Sequence, residues 1–132
     1  MRILLDTHLL LWWLAGDKSL SQQARAWIGD PENTIFVSAV SLWEIWLKQG
    51  LGKLRLPEDF ERRLERQSFE RLPLTWDQTR EVALLPWHHR DPFDRMLVAQ
   101  SRVEGLTLVT ADEAVAAYGD SVRLCNLPTD GL

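Results

Sequence analysis

One cysteine among 132 residues, Cys125, leaves nothing for an intrachain disulfide and excludes a zinc site built on cysteines. It reads as a small buried hydrophobe. Long apolar runs are missing too. The N-terminal MRILLDTHLLLWWLAG carries a basic residue and an apolar run in the manner of a secretion signal. Asp6 and His8 interrupt that run, and the remainder, Leu9 to Ala15, is too short to span a bilayer. The expectation is a soluble, cytoplasmic protein with no membrane partner. Repeats, low-complexity tracts and Gly/Ser/Pro-rich linkers are also absent. With 45% hydrophobic and 26% charged residues the composition is ordinary for a globular chain. The length suits one domain, 1–132, burying roughly two thirds of its unfolded surface.

An excess of basic charge is the last thing lacking. Fifteen Lys and Arg against nineteen Asp and Glu give a net charge of −4, a weak argument against nucleic acid as a partner. Four carboxylates gathered on a cation would account for that whole excess, so the total does not decide the matter. The distribution says more: Lys48, Lys53, Arg55, Arg62, Arg63, Arg66 and Arg71 fall in one central stretch. They form either a basic flank or a solvated helix face.

What is present alternates between two periodicities. Arg2 to Leu5 is a short apolar run, and a 3.6-residue pattern follows until Gly16, predicting strand then helix. Ser19 or Ser21 caps a second helix that ends at the Asp30–Pro31 turn. Residues 34–37 are β-branched and apolar, and a helix over 39–49 follows at once. Pro57 opens a charged helix to about Gln67, 69–74 contains a third strand, and another helix runs through Leu85. The stretch HRDPFDRML begins a helix that stops at Gly105, residues 106–109 form a fourth strand and 122–124 a fifth. Strands alternating with helices predict an α/β fold: a central parallel sheet of about five strands, helices on both faces and right-handed crossovers. In such sheets the working site lies beyond the carboxyl ends of the strands.

That rule singles out carboxylates. Asp6 ends the first strand, Asp112 follows the fourth, and Asp91 and Asp94 stand at the start of the helix leading into it. Glu44 differs, lying between Trp43 and Ile45 on the first turns of a mostly apolar helix. Each has a structural explanation. Asp6 or Asp91 can cap a helix, Asp112 can belong to a capping box of Thr110 with Glu113, and Glu44 can pair with Ser41 or Lys48. Gathered at one edge, however, carboxylates repel unless a cation or a raised pKa relieves them. Hard oxygen donors with few histidines favour Mg²⁺ or Mn²⁺, which suit phosphate chemistry with water as the nucleophile.

LLDTHLLLW, SLWEIWLKQGLGKL, HRDPFDRMLVAQS and LVTADEAVAAYG, in that order and spacing, resemble the PIN-domain ribonucleases of the VapC type, the toxins of toxin–antitoxin pairs. The resemblance runs from Ile3 to about Tyr118. It implies a single PIN domain whose acidic quartet, Asp6, Glu44, Asp94 and Asp112, cleaves RNA with one or two Mg²⁺ or Mn²⁺ ions. Asp6 and Asp94 match the principal ligands. Asp112 binds directly or through water, Glu44 orients a water or a second metal, and Thr7 and Thr110 support them. Asp91 is then mainly the helix cap, within reach of the site through water. The resemblance further implies a cognate antitoxin lying across the toxin, and a homodimer.

His88 and His89, adjacent in the chain, do not aim easily at one metal and are assigned surface or loop roles. Arg95 is a candidate contact for an RNA phosphate, or else an exposed helix-surface arginine. Trp12, Trp13, Trp43 and Trp46 sit on the helices that follow the first two strands; several of the seven tryptophans are expected to fill the core, with an aromatic groove as the alternative. A haloacid-dehalogenase-type phosphatase needs an Asp where this chain has His8, and a response-regulator receiver needs adjacent acids near the first strand and an Asp ending the third, which this chain lacks beside Asp6 and near Leu74. RNA processing without a toxin role, or RNA or protein binding without cleavage, are the remaining alternatives.

Overall fold

A computed structural model describes residues 1–125; the end of the expected 1–132 domain lies outside the described residues. Five strands, β1 (Arg2–Leu5), β2 (Thr34–Ser38), β3 (Glu70–Leu72), β4 (Thr107–Thr110) and β5 (Val122–Leu124), form one sheet in the order β3-β2-β1-β4-β5. Every neighbouring pair is parallel, so all carboxyl ends share one edge. Seven helices fill the connections: α1 (Thr7–Ala15), α2 (Gln22–Gly29), α3 (Ala39–Gly50), α4 (Phe60–Glu65), α5 (Trp76–Leu84), α6 (Pro92–Glu104) and α7 (Glu113–Ala116). This is the α/β architecture expected from the alternation of elements.

The central strand is apolar on both faces because both are covered. Ile3 and Leu5 join the core beneath α1 and α2, together with Leu9, Leu10, Ala24 and Ile45. Leu4, pointing the other way, packs with Leu97 and Val98 of α6 and with Leu108 of β4. Helix ends follow local chemistry. Ser21 caps α2 through Ala24 N–H, and α1 and α6 end at Gly16 (φ 62°) and Gly105 (φ 67°), left-handed positions that favour glycine.

Two expectations change. α4 begins at Phe60, not Pro57: the Pro57 carbonyl closes a turn onto Phe60 N–H, and regular helix starts where that buried ring anchors the chain. The third strand lies where expected, within 69–74, as Glu70–Leu72 at the sheet edge, and stops before Pro73, which has no N–H for a ladder. Above all, no tryptophan belongs to the fully buried core. Trp12, Trp13 and Trp27 pack against it from its margin, while Trp43, Trp76 and Trp87 are 58%, 91% and 75% exposed. Leu, Ile and Val make up most of the buried core, with Phe60 and Tyr118 as its buried rings.

Candidate metal centre

Asp6 follows β1 directly and caps α1 with one oxygen, Oδ1, which accepts the His8 N–H at 2.7 Å. Its other oxygen, Oδ2, accepts the Thr110 hydroxyl at 2.7 Å, and Thr110 Oγ1 in turn accepts the Asp112 N–H at 3.1 Å. Asp112 caps α7 through Oδ1, accepting from Ala114 N–H at 2.8 Å. Asp91 caps α6 the same way, with Oδ1 receiving the N–H groups of Phe93 and Asp94. Capping therefore does not compete with a second role, because each cap uses one oxygen and leaves lone pairs on the other. The capping box expected between Thr110 and Glu113 is replaced by the cap from Asp112 itself.

Glu44 comes from the middle of α3 and is 3% exposed. Lys48, one turn on, donates to Oε2 at 2.6 Å. Among the described residues Oε1 is buried without a hydrogen-bond partner. An unsatisfied buried acceptor costs about 1–3 kcal/mol, more when charged. Ser41, an alternative partner for Glu44, instead accepts the Thr7 hydroxyl at 2.9 Å and ties α1 to α3.

Asp94 reports how these charges converge. Its carboxyl is pushed up to about 7, first by burial and then by the negative charges of Asp6, Asp91 and Glu44, with His89 opposing. Three like charges, two of them from other segments, thus act on one carboxylate. Asp94, Asp112 and His89 also offer one atom each within 4.8 Å of one another. Hard oxygen donors, an orphaned buried oxygen and mutual repulsion are features that a divalent cation could relieve, and Asp94 and Asp112 are carboxylates that could hold one.

His89 was not expected here. Its Nε2 lies 3.1 Å from Asp94 Oδ2 and 3.3 Å from Asp112 Oδ2, whereas His88 turns away and meets the Tyr118 ring edge-on at 4.9 Å. The available signal was position: His89 stands two residues before the Asp91 cap, and its ring receives the Asp91 N–H.

Arg95 is the clear correction. It is 4% exposed, so neither a phosphate contact nor a surface arginine describes it. Nη1 donates to the Pro86 carbonyl at 2.8 Å and to the Tyr118 hydroxyl at 2.9 Å. Nη2 donates to the carbonyls of Val82 and Leu85 at 3.1 and 3.3 Å. The guanidinium also lies 3.7 Å over the Trp87 ring. These carbonyls belong to the last turn of α5 and the chain beyond, which has no helical donors of its own. Arg95 closes that end and anchors the loop bearing His89.

Beside Thr7 and Glu44 opens a groove of about 420 Å³, lined by Trp12, Leu54, Leu56 and Phe60 and by the cations Lys48, Lys53, Arg55 and Arg63. Part of the central basic stretch therefore flanks the acidic cluster. Among the described residues, no helix is long and apolar enough to cross a membrane.

A family profile described as PIN domain matches residues 3–120. No curated protein gives a significant match. Among solved structures, the fold is similar to VapBC2 from Rickettsia felis bound to a promoter DNA fragment. That likeness has a TM-score of 0.71 at 18% identity, covering 96% of this chain and 99% of that one. FitAcB from Neisseria gonorrhoeae has a TM-score of 0.64 at 23% identity over 91% and 95% of the two chains. VapBC-5 from Mycobacterium tuberculosis, a VapBC-family toxin–antitoxin system, has 0.60 at 22% identity over 96% and 98%. At such identities the likeness is one of fold.

Proposed function

The chain belongs to the PIN-domain family, and from that premise we propose that it is a divalent-metal-dependent endoribonuclease, the toxin of a toxin–antitoxin pair neutralised by a cognate antitoxin. The observation that carries this reading is the convergence of buried Asp6 and Glu44 on partly buried Asp94, which is raised to about 7, with Glu44 Oε1 unpartnered among the described residues. A structural cluster of caps has no use for such repulsion.

Asp6, Asp94 and Asp112 would hold Mg²⁺ or Mn²⁺, with Glu44 acting through water. A bound cation supplies charge neutralisation at the phosphodiester and a more acidic water. The chain's own part is orientation. Helix caps pin Oδ1 of Asp6 and Asp112, Thr110 pins Asp6 Oδ2, and Lys48 pins Glu44 Oε2. Water adds to phosphorus and the P–O bond to the leaving ribose oxygen breaks, giving a phosphomonoester and a hydroxyl end. The basic wall of Lys48, Lys53, Arg55 and Arg63 suits the RNA backbone at modest, salt-sensitive affinity.

The toxin role is supported by likeness to complexes described as toxin–antitoxin systems. Exposed Trp43, Trp76, Trp87 and Leu84 offer apolar surface for an antitoxin or for a second copy in a homodimer. The test is incubation of total cellular RNA with purified, antitoxin-free protein, with Mg²⁺, with EDTA and with Asp94→Asn. Discrete fragments seen only with Mg²⁺ and wild type support the nuclease. Equal cutting by Asp94→Asn removes Asp94 from the chemistry. RNA or partner binding without cutting favours the non-catalytic alternative.

A further inference from the structure

His89 is held at three points. Its own N–H donates to the Tyr118 hydroxyl at 3.2 Å, its Nδ1 accepts the Asp91 N–H at 3.1 Å, and its Nε2 faces the Asp94 and Asp112 carboxylates. A ring nitrogen that accepts a backbone N–H must keep its lone pair. The proton of the neutral imidazole therefore resides on Nε2. The spacing of Nε2, Asp94 and Asp112, within 4.8 Å, would by itself suggest three ligands of one ion. A protonated Nε2 has no lone pair for a cation, so the second contact overrules the first impression.

We propose that His89 is a positioning residue and not a metal ligand: its Nε2–H donates to Asp112 Oδ2 while Nε2 lies 3.1 Å from Asp94 Oδ2, so one ring sets the carboxylates of two separate elements against each other. The Asp91 cap locks the tautomer, and Tyr118, itself held by Arg95, sets the depth of the loop. Asp94 Oδ1 takes no donor from the described residues and is the oxygen left for a cation. Hydrogen bonds to ligating carboxylates are a recognised means of fixing a metal site. One aspartate, Asp91, thus serves α6 with its side chain and the acidic site with its backbone.

The kinetic part of this inference rests on the nuclease reading; the tautomer does not. Imidazole ¹⁵N shifts of the full-length protein, recorded at alkaline pH without metal and with Mg²⁺, are expected to show protonated Nε2 and unprotonated Nδ1 throughout. The Mn²⁺-loaded protein is expected to show no directly coordinated nitrogen by electron spin-echo spectroscopy. Unprotonated Nε2, or a coordinated nitrogen, overturns the proposal. His89→Ala should lower kcat about 10–100-fold with KM little changed, and His89→Gln, which keeps an N–H donor, should recover part of the loss. Equal loss of Mn²⁺ affinity in both variants without recovery also overturns it. A wild type that cuts no RNA counts against the nuclease reading alone, because the spectroscopic results still decide the role of His89.

Discussion

Thr110 Oγ1 donates to Asp6 Oδ2 at 2.7 Å, joining residues 104 positions apart through one buried hydroxyl that also receives the Asp112 N–H. β1 and β4 are neighbours in the sheet, and this bond registers their two carboxylates against each other. Thr110→Val keeps the shape and removes both contacts. The expected cost is about 2 kcal/mol, for one charge-assisted hydrogen bond and one unsatisfied N–H. Urea denaturation measures it. On the nuclease reading, cleavage should also fall by about 10–100-fold, as for other groups that orient ligands.

Asp94 should make the metal-free protein less stable as pH rises. Its carboxyl titrates at about 7 when folded and at about 4 when unfolded. The folded state therefore keeps a proton that the unfolded state has lost. Its favourable contribution is complete below about pH 4 and is lost as pH rises through about 7. Asp94→Asn cannot ionise, so its advantage in melting temperature over wild type should be larger at pH 8 than at pH 5. An advantage independent of pH would refute the assignment.

The same proton should oppose the cation. Below about pH 7, where Asp94 is protonated, apparent Mg²⁺ affinity should fall by up to about tenfold per unit of pH. Calorimetry in buffers of different ionisation heat should find close to one proton released per ion at pH 6 and little at pH 8.

Arg95→Lys should be damaging despite keeping the charge. A single ammonium cannot reach the carbonyls of Val82, Leu85 and Pro86 and the Tyr118 hydroxyl together. Buried acceptors left without donors cost about 1–3 kcal/mol each, so a loss of a few kcal/mol is expected by chemical denaturation. Faster hydrogen exchange in the loop over 85–91 should accompany it. An unchanged midpoint with weaker RNA binding would instead restore the surface role.

Lys48→Met should lower the apparent affinity for RNA and also disturb the acidic cluster, since Lys48 holds Glu44 at 2.6 Å. Arg55→Ala, on the same groove wall but with no such partner in the cluster, should weaken RNA binding without altering Mg²⁺ affinity. Filter binding at two salt concentrations and metal titration separate the two effects.

The local features of the chain read correctly for a local reason. Apolar runs between turn residues mark β1, β2 and β4, and the caps at Ser21 and Asp91 and the stops at Gly16 and Gly105 stand where side-chain chemistry puts them. Strands apolar on both faces require cover on both faces, so the parallel sheet and its carboxyl edge, with Asp6 and Asp112 on it, follow from the sequence alone. Trp43, Arg95 and His89 do not follow. Periodicity states the angle at which a side chain leaves its own element and nothing about the surface it meets. Whether Trp43 enters the core depends on the volume left by Leu, Ile and Val from other segments. Arg95 turns inward because the end of α5 presents carbonyls without donors, and the His89 proton is placed by an N–H two residues on, with its targets 5 and 23 residues away. The sequence determined the elements and the edge on which the acids gather. Only the packing of distant segments decided which polar groups are buried together, since burial and charge repulsion arise between elements and not within them.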